Sequence, residues 1–456
     1  MFSELQDLGD SYKYSHYKLY PKNMIASHSY FEARSDKNYN KVVFFGLQYM
    51  IERYLKQATD SDSLIASALR AEKHGIPFDL AGWDYINKLG YLPVKITAKP
   101  EGSICDIREP LMTVESTDPA VAWLPSFLET LLVKLWYPCT VATKAYYMRE
   151  TLKSFLPGNS DNAGWLDFAY HNFGDRGSSS VESAALAGMA HLIFFKGTDN
   201  FNALECATQF YPGSDPIGFS IPATEHSVMT SWGVNNEDGA IMHLLESYAH
   251  THKLIACVLD SYDLFDAVKR VTDKNNSIRK YLETSKATLV LRPDSGDPVT
   301  VLKHMFQIML ENEVGFTLNN YGLKLFDNYR IIWGDGITPE TIKSILANVI
   351  EWGFSPDNMA FGSGGDLCQN CNRDTLGFAY KLSAVRLLNK VPMGNYIPSD
   401  KDLYTWAGVC KDPITDSGKK SKAGLQKIND GVIYYENGET TDQYSFADVR
   451  ENAGIK

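Results

Sequence analysis

Four stretches of the chain end an apolar run in polar or glycine residues, and its chemistry concentrates there. LIACVLD ends on Asp260, ATLVLRPDSGDP carries Arg292 and Asp294, YRIIWGDG sets Asp335 between Gly334 and Gly336, and NMAFGSGGD carries Gly364 and Gly365. Small residues where a strand turns into a helix let consecutive backbone N–H groups face an anion near the helix N-terminus, which makes AFGSGGD a phosphate-site candidate. It lacks the G-K-[ST] ending of a Walker A loop, and Leu367 breaks a spaced G-x-G-x-x-G fingerprint, so a plain tight turn is the competing reading. Arg373, just downstream, can add a charge-assisted contact. Carboxylates accept ribose hydroxyls and help hold Mg2+, so several acids beside an anion site suit a polyhydroxylated sugar phosphate. For Arg292 and Asp294 the competing reading is a surface ion pair.

HNFGDRG sets Phe173 and Arg176 in a turn made flexible by Gly174 and Gly177, and an aromatic beside a guanidinium can hold a flat ring. A core phenylalanine with a solvated arginine is the alternative. FKGTDN offers Asp199 in a second glycine-containing turn, and SIPATEHS offers Ser220 and then His226 beside Glu225. A lone histidine is more often structural than catalytic, so spacing alone leaves His226 open. Cys368 and Cys371 form one C-x-x-C, but no second pair of ligands at matching spacing stands nearby, so both read as packing residues on a helix rather than as zinc ligands.

These residues need elements to position them. From about residue 165, short apolar runs alternate with helix-like segments, the pattern of parallel β/α units. Asp260, Asp294, Asp335 and Gly364 recur at close to the roughly 30 residues per unit of a β/α barrel, which gathers strand-end residues around one mouth. Thr338 reads as an N-cap, with Pro339 at the first helical position. The first 140 or so residues mix types: VVFFGLQYMIERYLKQ reads as an amphipathic helix, LPVKITAKPEGSI and PLMTVEST as strands. The polar tail ends in a strand-like GVIYYEN that should return to the first domain. The expected architecture is α/β: an irregular β/α barrel-like domain over 141–389, and an α+β domain built from both chain ends, 1–140 together with 390–456.

Composition excludes several classes. With 44 Lys plus Arg against 55 Asp plus Glu, a net charge of -11 argues against nucleic acid or anionic membrane as the main partner, so an anionic ligand needs a local cationic site. No apolar run approaches the roughly 20 residues of a membrane span, and the start lacks a signal peptide's apolar stretch, so a cytoplasmic location is expected. Seven scattered cysteines fit reduced thiols better than a disulfide framework.

Read in order, DSYK, SYFEAR, HNFGDRGSSS, HLIFFKGTDN, SIPATEHS, LDSYD, LRPDSGDP, GDG, AFGSGG and KDP resemble the motifs of the nicotinamide phosphoribosyltransferase family, most closely its compact bacterial or phage members. The resemblance covers nearly the whole chain. It implies a type II phosphoribosyltransferase of NAD salvage, working as a symmetric homodimer with active sites at the interface. By that resemblance Phe173 stacks on nicotinamide, Tyr12 of the partner subunit covers the other face, and Asp199 receives the carboxamide, with Ser220 in the same substrate site. Arg176 contacts both the ring and the phosphate region. Asp294, Gly334 and Asp335 surround ribose and phosphate, Arg292 binds ligand, and Gly364, Gly365 and Arg373 hold the 5′-phosphate. Asp260 lies near Mg2+-pyrophosphate. Arg34, Lys381, Lys411 and Lys419 are the partner-side cations, and His226 is the phosphorylated histidine, which makes ATP a co-substrate. His226, Asp294, Asp260 and Arg292 form the implied catalytic set. Asp175 stands where vertebrate members carry an aromatic residue, and Asp366 where they carry another glycine. The rival readings are a nicotinate phosphoribosyltransferase, a catalytically silent metabolite-binding homologue, and a barrel hydrolase with paired carboxylates.

Overall fold

The computed structural model describes residues 4–56, 61–213, 216–389, 403–441 and 443–455. The chain divides into two compact units, one of residues 1–143, 207–214 and 371–456, the other of 144–206 and 215–370. The second boundary therefore falls at 370 rather than at the expected 389. Here the strand Ala379–Leu388 pairs antiparallel with Met24–Glu32, so residues from 371 onward go with the chain ends. The start of the expected tail, 390–402, lies outside the described residues.

The first unit is built on a seven-stranded sheet in the order 404–408, 379–388, 24–32, 110–116, 94–98, 432–436, 439–440. Val94–Ala98 alternates buried and half-buried residues, as a strand with one covered face should. GVIYYEN does return as expected: Val432–Glu436 pairs antiparallel with Val94–Ala98. The VVFF run departs from expectation. Lys41–Val43 forms a short strand against Ile104–Asp106, and helix begins only at Leu47, because β-branched and aromatic residues suit a pleated buried position. Gln57, the last residue of that run, lies outside the described residues.

In the second unit six parallel strands follow one another in space as 197–198, 170–172, 359–363, 329–333, 288–292 and 254–258. The two edges are joined by the segment 219–223, through single parallel bridges from Phe219 to Gly197 and from Ala223 to Ala256. Strands and bridging segment thus run round in sequence order, which is the irregular β/α barrel expected. Thr288–Arg292 is buried through its middle, as a strand covered on both faces must be. Asp263, Asp297 and Thr338 each stand after a strand and cap the following helix, their side chains accepting from the N–H of Asp266, Thr300 and Thr341. Among the described residues no helix is long and apolar enough to cross a membrane.

Glu101 is the buried hub of the first unit. Its carboxylate accepts from Gln48 N–H at 2.7 Å and from the Tyr211 hydroxyl at 2.7 Å, while its N–H donates to the Tyr434 hydroxyl at 2.9 Å. Burial pushes its carboxyl up to about 7, against the lowering effect of those hydrogen bonds. An acid whose folded value is raised holds its proton longer folded than unfolded, so it subtracts stability as pH climbs from about 4.5 to about 7. Glu101→Gln should remove that slope. Comparing thermal midpoints at the two ends of the window, the variant should gain on the wild type by ~3 kcal/mol as pH rises; parallel curves would show that Glu101 titrates normally.

Candidate active site

The strand ends of the barrel bring a connected set of side chains to one mouth. Asp260 follows the strand Leu254–Val258 by two residues, and Asp294 follows Thr288–Arg292 by two. Asp260 Oδ1 meets His226 Nε2 at 2.9 Å; Oδ2 accepts from Ser295 Oγ at 2.8 Å and from Asp294 N–H at 3.3 Å. Arg292 Nη2 lies 3.3 Å from Asp294 Oδ2, and the Arg292 guanidinium sits 5.1 Å from the centroid of the Phe173 ring. His226, Asp260, Asp294, Arg292 and Phe173 therefore form one continuous chain of contacts. Arg292 Nε is buried with no hydrogen-bond partner among the described residues, a donor left for something else.

Phe173 opens onto a cavity of about 550 Å³ that Asp199, Ser220, His171 and Arg292 also line. Ala256, Val290 and Ile332 make an apolar floor, with Ile221 and Ala360 packed against it. Ser220 belongs to the bridging segment and donates from Oγ to Asp199 Oδ1 at 2.7 Å, so closing the barrel is what brings Ser220 to Asp199. Asp199 is itself fixed by its N–H, which donates to the Asn172 carbonyl at 3.0 Å. Burial holds the His171 imidazole below its ordinary value, against the opposite pull of nearby Asp199, and the ring stays neutral near pH 7.

The phosphate-loop candidate also lies at this mouth, Gly364 directly following the strand Met359–Ser363. A Cβ built at Gly365 would meet nothing within 4 Å, so the protein itself does not require glycine there. Gly334 lies beside the acid pair, its hypothetical Cβ 3.1 Å from Asp294 Oδ1. Asp335 faces a separate hollow of about 350 Å³ with Gly296, Trp333 and Thr341. Arg176 is highly exposed, 3.9 Å from Glu225, and Asp175 begins the same short turn. That turn is tighter than the flexible loop expected: a Cβ at Gly174 would fall 2.5 Å from Cys368 Sγ and 2.7 Å from the Gly364 carbonyl. Cys368 is buried on the helix Gly365–Gln369 as expected, whereas Cys371 lies beyond its end.

The basic residues gather in the other unit. Burial lowers the Lys381 ammonium, Glu129 pulls it back up, and the neighbouring charges of Arg34, Arg373 and Lys411 add to the lowering, so these four cations share one region. Buried Glu32 holds Arg34 at 2.7 Å and also pairs with Lys422, while Glu129 holds Lys13 at 2.7 Å. Tyr12 is exposed nearby in sequence, with Lys13 Nζ 5.8 Å from its ring. Lys419 is paired with Asp416 at 3.2 Å on the surface. Ser295, Asn172, Glu32, Glu129 and Lys422 escaped the sequence reading because nothing in their local pattern marks them.

Gly362 escaped it too. A Cβ there would lie 2.0 Å from Phe173 Cε2, so the ring can lie on its strand only because position 362 has no side chain. Gly362→Ala should force Phe173 from its place at a cost of about 2 kcal/mol. Thermal midpoints of the two single variants and the double should be non-additive, Gly362→Ala costing little once Phe173→Ala is present; simple additivity would mean the ring and glycine are not coupled.

Comparison with known proteins adds three findings. Residues 168–450 match the nicotinate phosphoribosyltransferase (NAPRTase) family, and residues 5–96 match the N-terminal domain of nicotinamide phosphoribosyltransferase. The chain is 43% identical over 420 residues to the nicotinamide phosphoribosyltransferase of Xanthomonas campestris, which covers 91% of this chain and 85% of that one, and 31% identical over 457 residues to that of Acinetobacter baylyi, covering 92% and 87%. In fold it is similar to nicotinate-nucleotide pyrophosphorylase from Pyrococcus furiosus, with a TM-score of 0.58 at 15% identity over 99% and 95% of the two chains. Human nicotinic acid phosphoribosyltransferase gives 0.54 at 16% identity over 98% and 92%.

Proposed function

The chain belongs to the nicotinate phosphoribosyltransferase family, and from that premise we propose that this pentosyltransferase joins nicotinamide to phosphoribosyl pyrophosphate in NAD salvage, giving nicotinamide mononucleotide and pyrophosphate. The observation that carries the choice of ring is the Ser220–Asp199 pair at an apolar cavity edged by Phe173. A carboxylate is acceptor-only and takes a hydrogen bond from a carboxamide NH2, whereas a ring carboxylate would meet like charge.

The ring nitrogen attacks ribose C1 with its own lone pair as the bond from C1 to pyrophosphate breaks, so no protein base is required. Asp294 stabilises the positive charge that develops at C1, and Arg292, whose Nε has no partner among the described residues, donates to ligand oxygen. Gly364, Gly365 and Arg373 serve the 5′-phosphate; Gly334 and Asp335 serve the ribose and phosphate. The cations Arg34, Lys381, Lys411 and Lys419, with Tyr12, complete the site of a partner subunit in a homodimer, an arrangement that C2 symmetry allows twice over.

Both Asp260 oxygens are engaged by protein donors. That suits a Mg2+ which arrives with the diphosphate and keeps its waters, with Asp260 at its edge, since Mg2+ usually takes only one or two protein carboxylates. Bound there, Mg2+ supplies charge neutralisation of the departing pyrophosphate. His226 is the group that ATP phosphorylates; its ring is half exposed and already oriented by Asp260. The seven cysteines, none in a disulfide among the described residues, fit a reducing, cytoplasmic setting.

The direct test is product analysis with phosphoribosyl pyrophosphate, Mg2+ and equal amounts of nicotinamide and nicotinate, with and without ATP; formation of nicotinate mononucleotide in preference would overturn the substrate assignment. Asp199 is exposed, so its repulsion of nicotinate at roughly 4 Å and an effective dielectric near 40 amounts to about 2 kcal/mol, or roughly 30-fold in kcat/KM. Asp199→Asn should narrow that ratio, mainly by weakening nicotinamide use; a ratio unchanged in the variant would remove Asp199 from the role. His226→Ala should keep a slower basal transfer and lose the rise in product yield on adding ATP. A full ATP response in that variant would rule out the phosphohistidine.

A further inference from the structure

The glycine loop at the mouth ends in an acid, and an acid beside a phosphate site needs explaining. Asp366 follows Gly365, and its carboxylate Oδ1 accepts from Asn370 Nδ2 at 2.6 Å. The long helix Trp136–Lys153 sends Lys144 to the same place. Lys144 Nζ donates to the Asp366 carbonyl at 2.5 Å, and lies 3.4 Å from Asp366 Oδ2 and 3.4 Å from the Asn370 carbonyl. The lysine side chain is only 14% exposed, and an ammonium so far out of water is tolerable only when paired.

We propose that Lys144 and Asp366 are a matched pair that sets the charge of the Gly364–Gly365 loop, Lys144 cancelling a carboxylate that would otherwise repel the phosphate of phosphoribosyl pyrophosphate. The proposal rests on the reading that this loop holds the 5′-phosphate. Lys144 is a positioning residue: it touches the loop from behind, and the backbone N–H groups of the glycines are left to the ligand. Its ammonium also lies by the carbonyl of Asn370, the C-cap of the short helix Gly365–Gln369, an end that favours a cation.

Anchoring and charge cancellation give different double-variant results. Lys144→Met should raise the KM for phosphoribosyl pyrophosphate about tenfold, the equivalent of ~1.4 kcal/mol, with the KM for nicotinamide unchanged. Adding Asp366→Asn, which keeps an acceptor for Asn370 but removes the charge, should bring the value back near that of the wild type. Asp366→Asn alone should lower the KM for phosphoribosyl pyrophosphate, because Lys144 is then an uncompensated cation. A double variant as impaired as Lys144→Met, or a parallel rise in the nicotinamide KM, would overturn the proposal in favour of simple anchoring. Should Lys144→Met show no melting transition, Asp366→Asn alone decides: a KM at or above that of the wild type overturns it. Gly365→Ala tests the underlying reading separately. Its Cβ meets nothing in the protein, so a KM for phosphoribosyl pyrophosphate equal to that of the wild type would show that no phosphate approaches the loop, whatever Lys144 does.

Discussion

A carboxylate with little access to water must have its oxygens satisfied by the protein, and the mouth of the barrel is organised around that requirement at Asp260. One oxygen takes His226, which opens the helix after the bridging segment; the other takes Ser295 and the Asp294 N–H, from the next strand-end loop. Three separate loops are thereby held in one register by one side chain. Asp294 in turn orients Arg292, and Arg292 lies over Phe173. Leaving a buried polar group without its partner costs about 1–3 kcal/mol, more when it is charged, so a change at Asp260 would loosen the whole row rather than one contact.

The same logic governs the cations. A chain of net charge -11 that handles an anionic substrate has to concentrate positive charge locally and stop it from repelling itself. In the unit built from the chain ends, Glu32 and Glu129 do this by pairing with Arg34, Lys422, Lys13 and Lys381. Each acid neutralises part of the cluster and fixes where the remaining charge points. Lys144 and Asp366 repeat the device with the signs reversed, an isolated cation against an acid in the glycine loop.

The bridging segment 219–223 shows how the fold and the site are one problem. Its backbone is tied to both edges: Phe219 N–H donates to the Lys196 carbonyl, Thr198 N–H to the Phe219 carbonyl, and Ala256 N–H to the Pro222 carbonyl. It also carries Ser220 to Asp199 and supplies Ile221 and Ala223 to the cavity wall. A longer regular strand there would send alternate residues away from the cavity.

The sequence by itself determined the parallel β/α units, the strand-end positions of Asp260, Asp294, Asp335 and Gly364, and the Thr338 cap, because these follow from apolar runs, turn residues and capping chemistry within about thirty residues. Its ordered motifs also pointed to the family. Only the tertiary structure decided that 379–388 belongs with the first strand, since that depends on a partner hundreds of residues away. The VVFF run could not be read for a similar reason: a short apolar stretch looks alike as strand or helix until its neighbour is known. Gly362 is indistinguishable from any strand glycine until Phe173 lies on it, and Lys144 from any helix lysine until Asp366, 222 positions on, is folded against it. Local pattern fixes which residues stand at strand ends; which of them touch is set by closing the barrel, and chain-distant contacts leave no periodic trace in the sequence.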